Sequence, residues 1–322
     1  MGGGGRLKTP NKNLLINPNF KINQREKLEY FNSGNQNPGP DAWFGYNKIT
    51  VEDDGIILHN FTEQVDYWKA WSQRLYNPER FSGKTITTSC LINSLDGTDL
   101  SFCPAGDFTC NNKDFWDSPD RIRKNHGTDS NGITLLSCTR KIPEILEESD
   151  ICYFSISGPL DGKRIKIYMC KLEVDEESTL AYMDSSNNWR LYDIIDYDEE
   201  YRKCCNYVFN VVSRNPNMQR YFTSAIAYGA NNACGIIPIT NRFTNTPVIE
   251  QQAELCVAGT FLDGNYHSNV EVVASIYGYS NIGIQIELIP KDPNAFQYIE
   301  GNLYMGYFRY PQTTSKLLFR FK

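Results

Sequence analysis

The chain has no uninterrupted apolar run of about 18 residues, the length a membrane-crossing helix needs, so no such span is expected. Its start, Met1-Gly-Gly-Gly-Gly-Arg-Leu-Lys8, lacks the apolar middle of a secretory signal and reads as a flexible lead-in over residues 1–12. Histidine is scarce: His59, His126 and His267 lie far apart without partner patterns, and satisfied surface or edge roles fit them better than catalysis. Gly-rich phosphate loops, zinc-protease motifs and nucleophile elbows are absent. Basic residues form no stripe to offset a net charge of −6; the densest patch, Arg121-Ile-Arg-Lys124, is short, so a nucleic-acid partner is not expected. The one enzymatic arrangement that spacing leaves open is a pair of carboxylates about 5–10 Å apart, as in glycosidases. The chain reads as non-enzymatic.

Cysteine, by contrast, occurs ten times, scattered rather than framed. Without a secretory signal, reduced and mostly buried thiols are expected. Cys90, Cys138, Cys152 and Cys170 fall inside strand-like runs, where cysteine acts as a small apolar side chain. Cys103 and Cys110 have six residues between them, which is not a zinc-knuckle spacing.

At 322 residues, 40% hydrophobic and 22% charged, the chain has room for two globular domains. Short strand-like runs at 48–52, 55–59, 67–75, 85–92, 132–139, 151–156 and 164–172 are separated by turn signals such as Asp53-Asp-Gly55 and Asp161-Gly162. They predict an all-β, jelly-roll type sandwich over 13–183. Residues 13–20 read as a further short strand, and 93–131 as a long polar loop. In the strand beginning at Ile165, the period of two puts Ile165, Ile167, Met169 and Lys171 on one face. A polar linker is expected over 184–198. A short helix over 199–209 follows, with Tyr201, Cys204, Cys205, Val208 and Phe209 as its apolar stripe. The acidic run 193–200 reads as the solvated start of that helix rather than a cation site. Eight further strand candidates make 199–322 a smaller C-terminal β-sandwich domain opened by the helix.

Aromatic residues are plentiful: 20 Tyr, 17 Phe and 5 Trp. Sugar binding uses flat aromatic faces beside planar groups that hydrogen-bond hydroxyls. Two candidate groups combine these features: Asp114, Trp116 and Asp117 in the long loop, and Tyr277, Tyr279 and Asn281, which share a face if the strand runs that far. Trp68 and Trp71 fall on opposite faces of one strand, so at least one is core, and Trp43 is expected in the core.

Several segments, in order, resemble a family of bacteriophage and prophage tail-fibre or tail-associated proteins. Asn13-Leu-Leu-Ile-Asn-Pro-Asn-Phe-Lys-Ile-Asn-Gln-Arg25 is similar to the family's opening segment, and Phe81-Ser-Gly-Lys-Thr-Ile-Thr-Thr-Ser-Cys90 to its Gly-Lys-Thr strand. Met169-Cys-Lys-Leu-Glu-Val-Asp175, Glu200-Tyr-Arg-Lys-Cys-Cys-Asn-Tyr207 and Ile237-Pro-Ile-Thr-Asn-Arg-Phe-Thr-Asn-Thr-Pro247 complete the series. The family's Asp-Arg-Trp is Asp41-Ala-Trp43 here, and its Ala-Thr-Pro-Phe turn is Ser178-Thr-Leu-Ala-Tyr182. The resemblance implies a carbohydrate-binding-module-like jelly roll followed by a small β domain, carried on a virion assembled in the host cytoplasm. It implies binding of a bacterial surface glycan without catalysis, contact with other virion proteins, and a homo-oligomer, in this family a trimer. Jelly-roll sugar-binding domains often hold a structural calcium ion, which the Asp- and Asn-rich loops permit; no other cofactor is expected. The alternative is a structural docking or decoration protein with no glycan site, and a glycan depolymerase comes third.

Overall fold

A computed structural model describes residues 10–30, 37–45, 48–59, 70–97, 100, 106–110, 121–142, 144, 146–147, 150–157, 163–205, 208–213, 221–238, 247–252, 254–280, 283–308 and 315–321. The chain divides into two compact units, Met1–Tyr201 and Arg202–Lys322. It is all-β, with antiparallel sheets and, among the described residues, one short α-helix, α1 (Tyr197–Cys204).

The strands of the first unit are β1 (Glu29–Tyr30), β2 (Asn37–Pro38), β3 (Phe44–Gly45), β4 (Ile49–Glu52), β5 (Gly55–His59), β6 (Ala70–Leu75) and β7 (Thr85–Ser94), then β8 (Asp107–Cys110), β9 (Ile122–Thr128), β10 (Ile133–Lys141), β11 (Cys152–Ser157), β12 (Arg164–Glu173), β13 (Ala181–Met183) and β14 (Trp189–Leu191). One sheet runs β1-β4-β5-β12-β7-β10-β9, a second runs β2-β3-β6-β11-β8, and β13-β14 is a hairpin. Ile56, Ile86 and Ile167 from the larger sheet share a buried cluster with Trp71, Phe108 and Phe154 from the smaller one. The two sheets therefore face each other across one core, as in a sandwich. Trp43 and Trp71 are both in that core, while Trp68 lies outside the described residues.

Four sequence expectations change in this unit. Residues 93–131 are not a bare loop, because β8 and β9 lie within them. β9 is the outermost strand of its sheet and carries Arg123, Lys124 and Asn125 exposed, so it lacks the apolar period that would have betrayed it. Residues 13–20 form bends, not a strand. There Asn17 adopts a left-handed φ of 50° and is fully buried. Its side-chain amide donates to the carbonyls of Ile22 (2.8 Å) and Asp41 (3.1 Å), its Oδ1 accepts from Ile22 N (3.0 Å), and its own carbonyl accepts from the Trp43 indole (3.0 Å). The Glu200 carboxylate of α1 accepts from Asn17 N at 2.9 Å, and Gln24 Nε2 donates to Asp41 at 2.6 Å. The opening segment, Asp41-Ala-Trp43 and the helix thus meet in one buried polar knot.

The third change lies in β12. Ile167 pairs with Ile92 but Met169 pairs with the next residue, Leu91, so Tyr168 is an inserted bulge residue. The bulge reverses the alternation. Ile165, Ile167, Cys170 and Leu172 face the inter-sheet core, whereas Met169 joins Leu91, Leu135, Leu180 and Ala181 in a separate cluster on the outer face of the sheet. Met169 and Lys171 therefore do not share the face of Ile165 and Ile167. Lastly, residues 184–198 are more than a linker: they supply β14, and Asp184 accepts from the backbone N of Ser186 and Asn188 (2.9 Å each) to close the hairpin turn.

The helix ends earlier than its stripe predicts. Val208 and Phe209 begin β15 (Val208–Ser213), whose β-branched residues favour extended backbone. The following strands are β16 (Tyr221–Gly229), β17 (Asn232–Pro238), β18 (Pro247–Gln252), β19 (Leu255–Thr260), β20 (Tyr266–Ser280), β21 (Gly283–Pro290), β22 (Leu303–Phe308) and β23 (Ser315–Phe321). The expected second sandwich is instead a closed six-stranded barrel, β16-β17-β21-β20-β19-β22, beside a three-stranded sheet β15-β23-β18. Small inward residues on β16 and β17 (Ala225, Ala227, Ala233) leave room for Phe261, Tyr298 and Tyr304, which fill the barrel, and Phe319 of β23 joins them. A Cβ on Gly259 would stand 2.4 Å from the Tyr304 ring, so glycine there is a packing requirement.

Candidate functional site

Asp114, Trp116, Asp117 and Asn281 lie outside the described residues. Tyr277 and Tyr279 are both on β20 and exposed, at 62% and 45%. Ile276 pairs with Ile286 but Gly278 with Gln285, so Tyr277 is an inserted residue that breaks the period of two. Its ring lies 5.7 Å from Tyr228 on the outer wall, and the Tyr228 hydroxyl donates to Glu287. Tyr279 instead pairs with Ile284, a barrel-core residue, and so belongs to the other face of the sheet. The two tyrosines do not form one platform.

A groove with the sought composition lies elsewhere, on the outer face of the seven-stranded sheet. Leu91 of β7, Ile133 of β10, Tyr168 and Met169 at the β12 bulge, and Trp189 and Leu191 of β14 form its apolar and aromatic lining. Asn19 and Lys21 from the N-terminal bends and Asp54 from the β4–β5 turn add polar groups. Its volume is about 220 Å³. Pockets that enclose a drug-sized ligand run about 300–1,000 Å³, so this groove has room for one ring of a longer chain rather than a whole ligand.

Each wall has a local cause. The Trp189 indole donates to the Ile133 carbonyl at 2.9 Å, which fixes the ring orientation. The hairpin tip is tied to the turn before β10, where Ser130 N donates to the Asn187 carbonyl (2.9 Å) and Ser130 Oγ to Asn188 Oδ1 (2.7 Å). Asp129 organises that turn by accepting from the backbone N of Asn131 (2.8 Å) and Ile133 (2.9 Å). Burial works against charge on Asp129, but the backbone donors Ile133, Asn131 and Trp189 outweigh it and hold the carboxyl below its ordinary range. Beside Tyr168, the Lys166 ammonium lies 5.1 Å from the ring centroid and bridges Glu52 (2.6 Å) and Asp54 (2.7 Å). Burial again disfavours the charge, and hydrogen bonds to the two carboxylates more than offset it, raising the Lys166 pKa.

Behind the hairpin, Lys171 is fully buried. Its ammonium donates to Asp193 (2.7 Å), Thr179 Oγ1 (2.9 Å) and the Thr179 carbonyl (3.1 Å), and it stands 3.8 Å from Glu173. This network pins the chain after β14 to β12, and with it the hairpin that carries Trp189.

The other sequence candidates have structural roles. His59 bonds Thr50 (3.0 Å), His126 bonds Ser137 (2.7 Å) and His267 bonds Asp263 (2.7 Å). In the acidic run, Asp196 accepts from the backbone N of Asp198 and Glu199 at the start of α1, and Asp193 serves Lys171. Among the described residues, no group of three or more His, Cys, Asp or Glu side chains is placed to hold a metal ion.

Sequence reasoning missed Trp189, Tyr168 and Leu191. The signal that could have found Trp189 was Asp184-Ser-Ser-Asn-Asn188, a turn former followed by Trp189-Arg-Leu191, which is the pattern of a hairpin.

No family model matches the chain, and no curated protein matches it. Among solved structures, it is similar to the N-terminal CBM22-1–CBM22-2 tandem domain of Xyn10C from Paenibacillus barcinonensis. That similarity has 7% identity over 98% of this chain and 99% of that one, with a TM-score of 0.24, too slight to bear on fold or ligand.

Proposed function

We propose that the protein is a non-catalytic virion component, tail-fibre or tail-associated, whose first unit binds a bacterial surface glycan in the groove beside Trp189. The observation that carries the glycan reading is the groove itself: an aromatic and apolar lining with Asn19, Lys21 and Asp54 at hand to bond hydroxyls. One sugar ring would stack on the lining while the rest of the chain runs into solvent. Such a contact is weak alone, and several copies on one particle would strengthen it. The virion part of the reading rests on the five ordered segments; two of them, 13–25 and the one from Glu200, enter the polar knot around Asn17, which explains why those residues occur together.

The test is a glycan-array and whole-cell binding assay on the purified protein, with Trp189→Ala and Trp116→Ala in parallel. Trp189→Ala is expected to weaken binding by about 2 kcal/mol, roughly 30-fold. Binding unchanged by Trp189→Ala but lost with Trp116→Ala would move the site to the 93–131 segment. One observation favours the alternative role as a docking module. On the outer barrel wall Ile226 pairs with Leu303, and Ile236 and Met305 stand on either side of Ser224, all four exposed. If assembled protein bound neither cells nor glycans, that face would become the leading functional surface.

A further inference from the structure

Cys90 of β7 and Cys170 of β12 are direct partners in the antiparallel register of the larger sheet. Both face the inter-sheet core and are fully buried. Their sulfurs are 3.5 Å apart, and the structure holds both as thiols. Opposed residues of an antiparallel pair have Cα atoms about 4.5–5.5 Å apart, inside the span a disulfide bridges, so closing the bond asks for sulfur movement and little backbone movement.

We propose that Cys90 and Cys170 form a cross-strand disulfide when the chain folds in the presence of a small disulfide oxidant such as oxidised glutathione. One cysteine thiolate attacks the oxidant, forming a mixed disulfide and releasing one glutathione thiolate. The second cysteine, as its thiolate, attacks the protein sulfur of that mixed disulfide. The Cys90–Cys170 bond forms and the second glutathione leaves as its thiolate. The two protons lost by the cysteines end on the two glutathione thiols; the protein is oxidised by two electrons and the oxidant reduced by two.

The timing follows from burial. A glutathione-bearing sulfur has no room between the sheets, and desolvation pushes the Cys170 thiol well above its ordinary pKa, so the folded pair is unreactive. The bond must form before the sheets close, after which it is sealed against reductant. The pair therefore records the redox state in which the chain folded.

The full chain should be produced in a reducing and in an oxidising host cytoplasm, alkylated in denaturant, and mapped by mass spectrometry without reduction. Protein from the oxidising host is expected to yield the peptide bridged between Cys90 and Cys170, and a melting temperature roughly 5–10 °C higher. Protein from the reducing host should show both cysteines alkylated, and oxidised glutathione added to it after folding should bridge less than a tenth of the pair in the same time. A second preparation unfolds the reduced protein and dilutes it into a glutathione redox buffer, so that poor yield from one host does not decide the matter. Alkylation of both cysteines, or pairing of either with another cysteine, in the folded fraction of both oxidising preparations would overturn the proposal. Equally rapid bridging of the folded protein would overturn its timing.

Discussion

A single buried ammonium shows how much one residue decides here. Lys171 sits in a strand whose neighbours are apolar, yet its four polar neighbours replace the water it loses. Lys171→Ala would leave Glu173 buried without its counter-ion and release Asp193. The expected loss is about 3–5 kcal/mol, checked by denaturant unfolding, with the hairpin around Trp189 exchanging amide hydrogen fastest. A stability change below about 1 kcal/mol would refute this account. Histidine sets a second expectation. Burial lowers the pKa of His126, aided by Lys124, and lowers that of His59, aided by Lys48 and Arg164. The unfolded chain takes up these protons near the ordinary value of 6.5, while the folded chain resists them. Stability should therefore fall as pH drops from there toward the lowered folded values, and level off below them. Thermal melts between about pH 7.5 and about pH 5 should show the decline, and His126→Gln should flatten part of it. Neither effect was legible in the sequence, because burial of a lysine or histidine depends on what folds over it.

Among the elements, strand existence was legible and strand phase was not. β5 and β22 fall on their expected residues, 55–59 and 303–308, because bounded apolar runs mark strands well. The bulges at Tyr168 and Tyr277 leave no trace in a period-two pattern, since each inserts one residue in one strand only. Yet the first creates the groove, by turning Met169 outward to meet Leu91. Deleting Tyr168 should turn the bulge into plain pairing with Ile167 still opposite Ile92 and Met169 opposite Leu91, so Met169 and Lys171 stay on the outer face and Cys170 and Leu172 stay in the core. Soluble yield and cooperative melting should survive the deletion, with a loss of about 1–3 kcal/mol where the β4–β5 turn no longer rests on the bulge, and Tyr168→Ala, which keeps the bulge, should melt within a few degrees of the parent. A deletion variant without a cooperative transition would refute the assignment of Tyr168 as the inserted residue. Gly55 supports the same place: a Cβ there would stand 2.2 Å from the Ile167 carbonyl oxygen, so the β4–β5 turn can rest on the bulge only with glycine.

For the whole molecule, the two units hold separate cores, one around Trp71 and Phe154, the other around Phe261 and Tyr304. A fragment of residues 1–201 keeps every groove residue and the polar knot. It is expected to unfold cooperatively and to retain any glycan binding measured for the full chain; a fragment without a cooperative transition would show that the first unit depends on the second. The sequence by itself determined the β-rich class, two cores' worth of chain, and most strand positions, because these follow from local alternation and turn residues. Tertiary structure decided the rest. A strand has the same period whether its sheet stays open or closes, so the barrel was invisible until β16 met both β17 and β22. The groove was invisible for the same reason: Trp189, Tyr168 and Lys21 are distant in sequence, and only a bulge and a docked hairpin bring them to one surface.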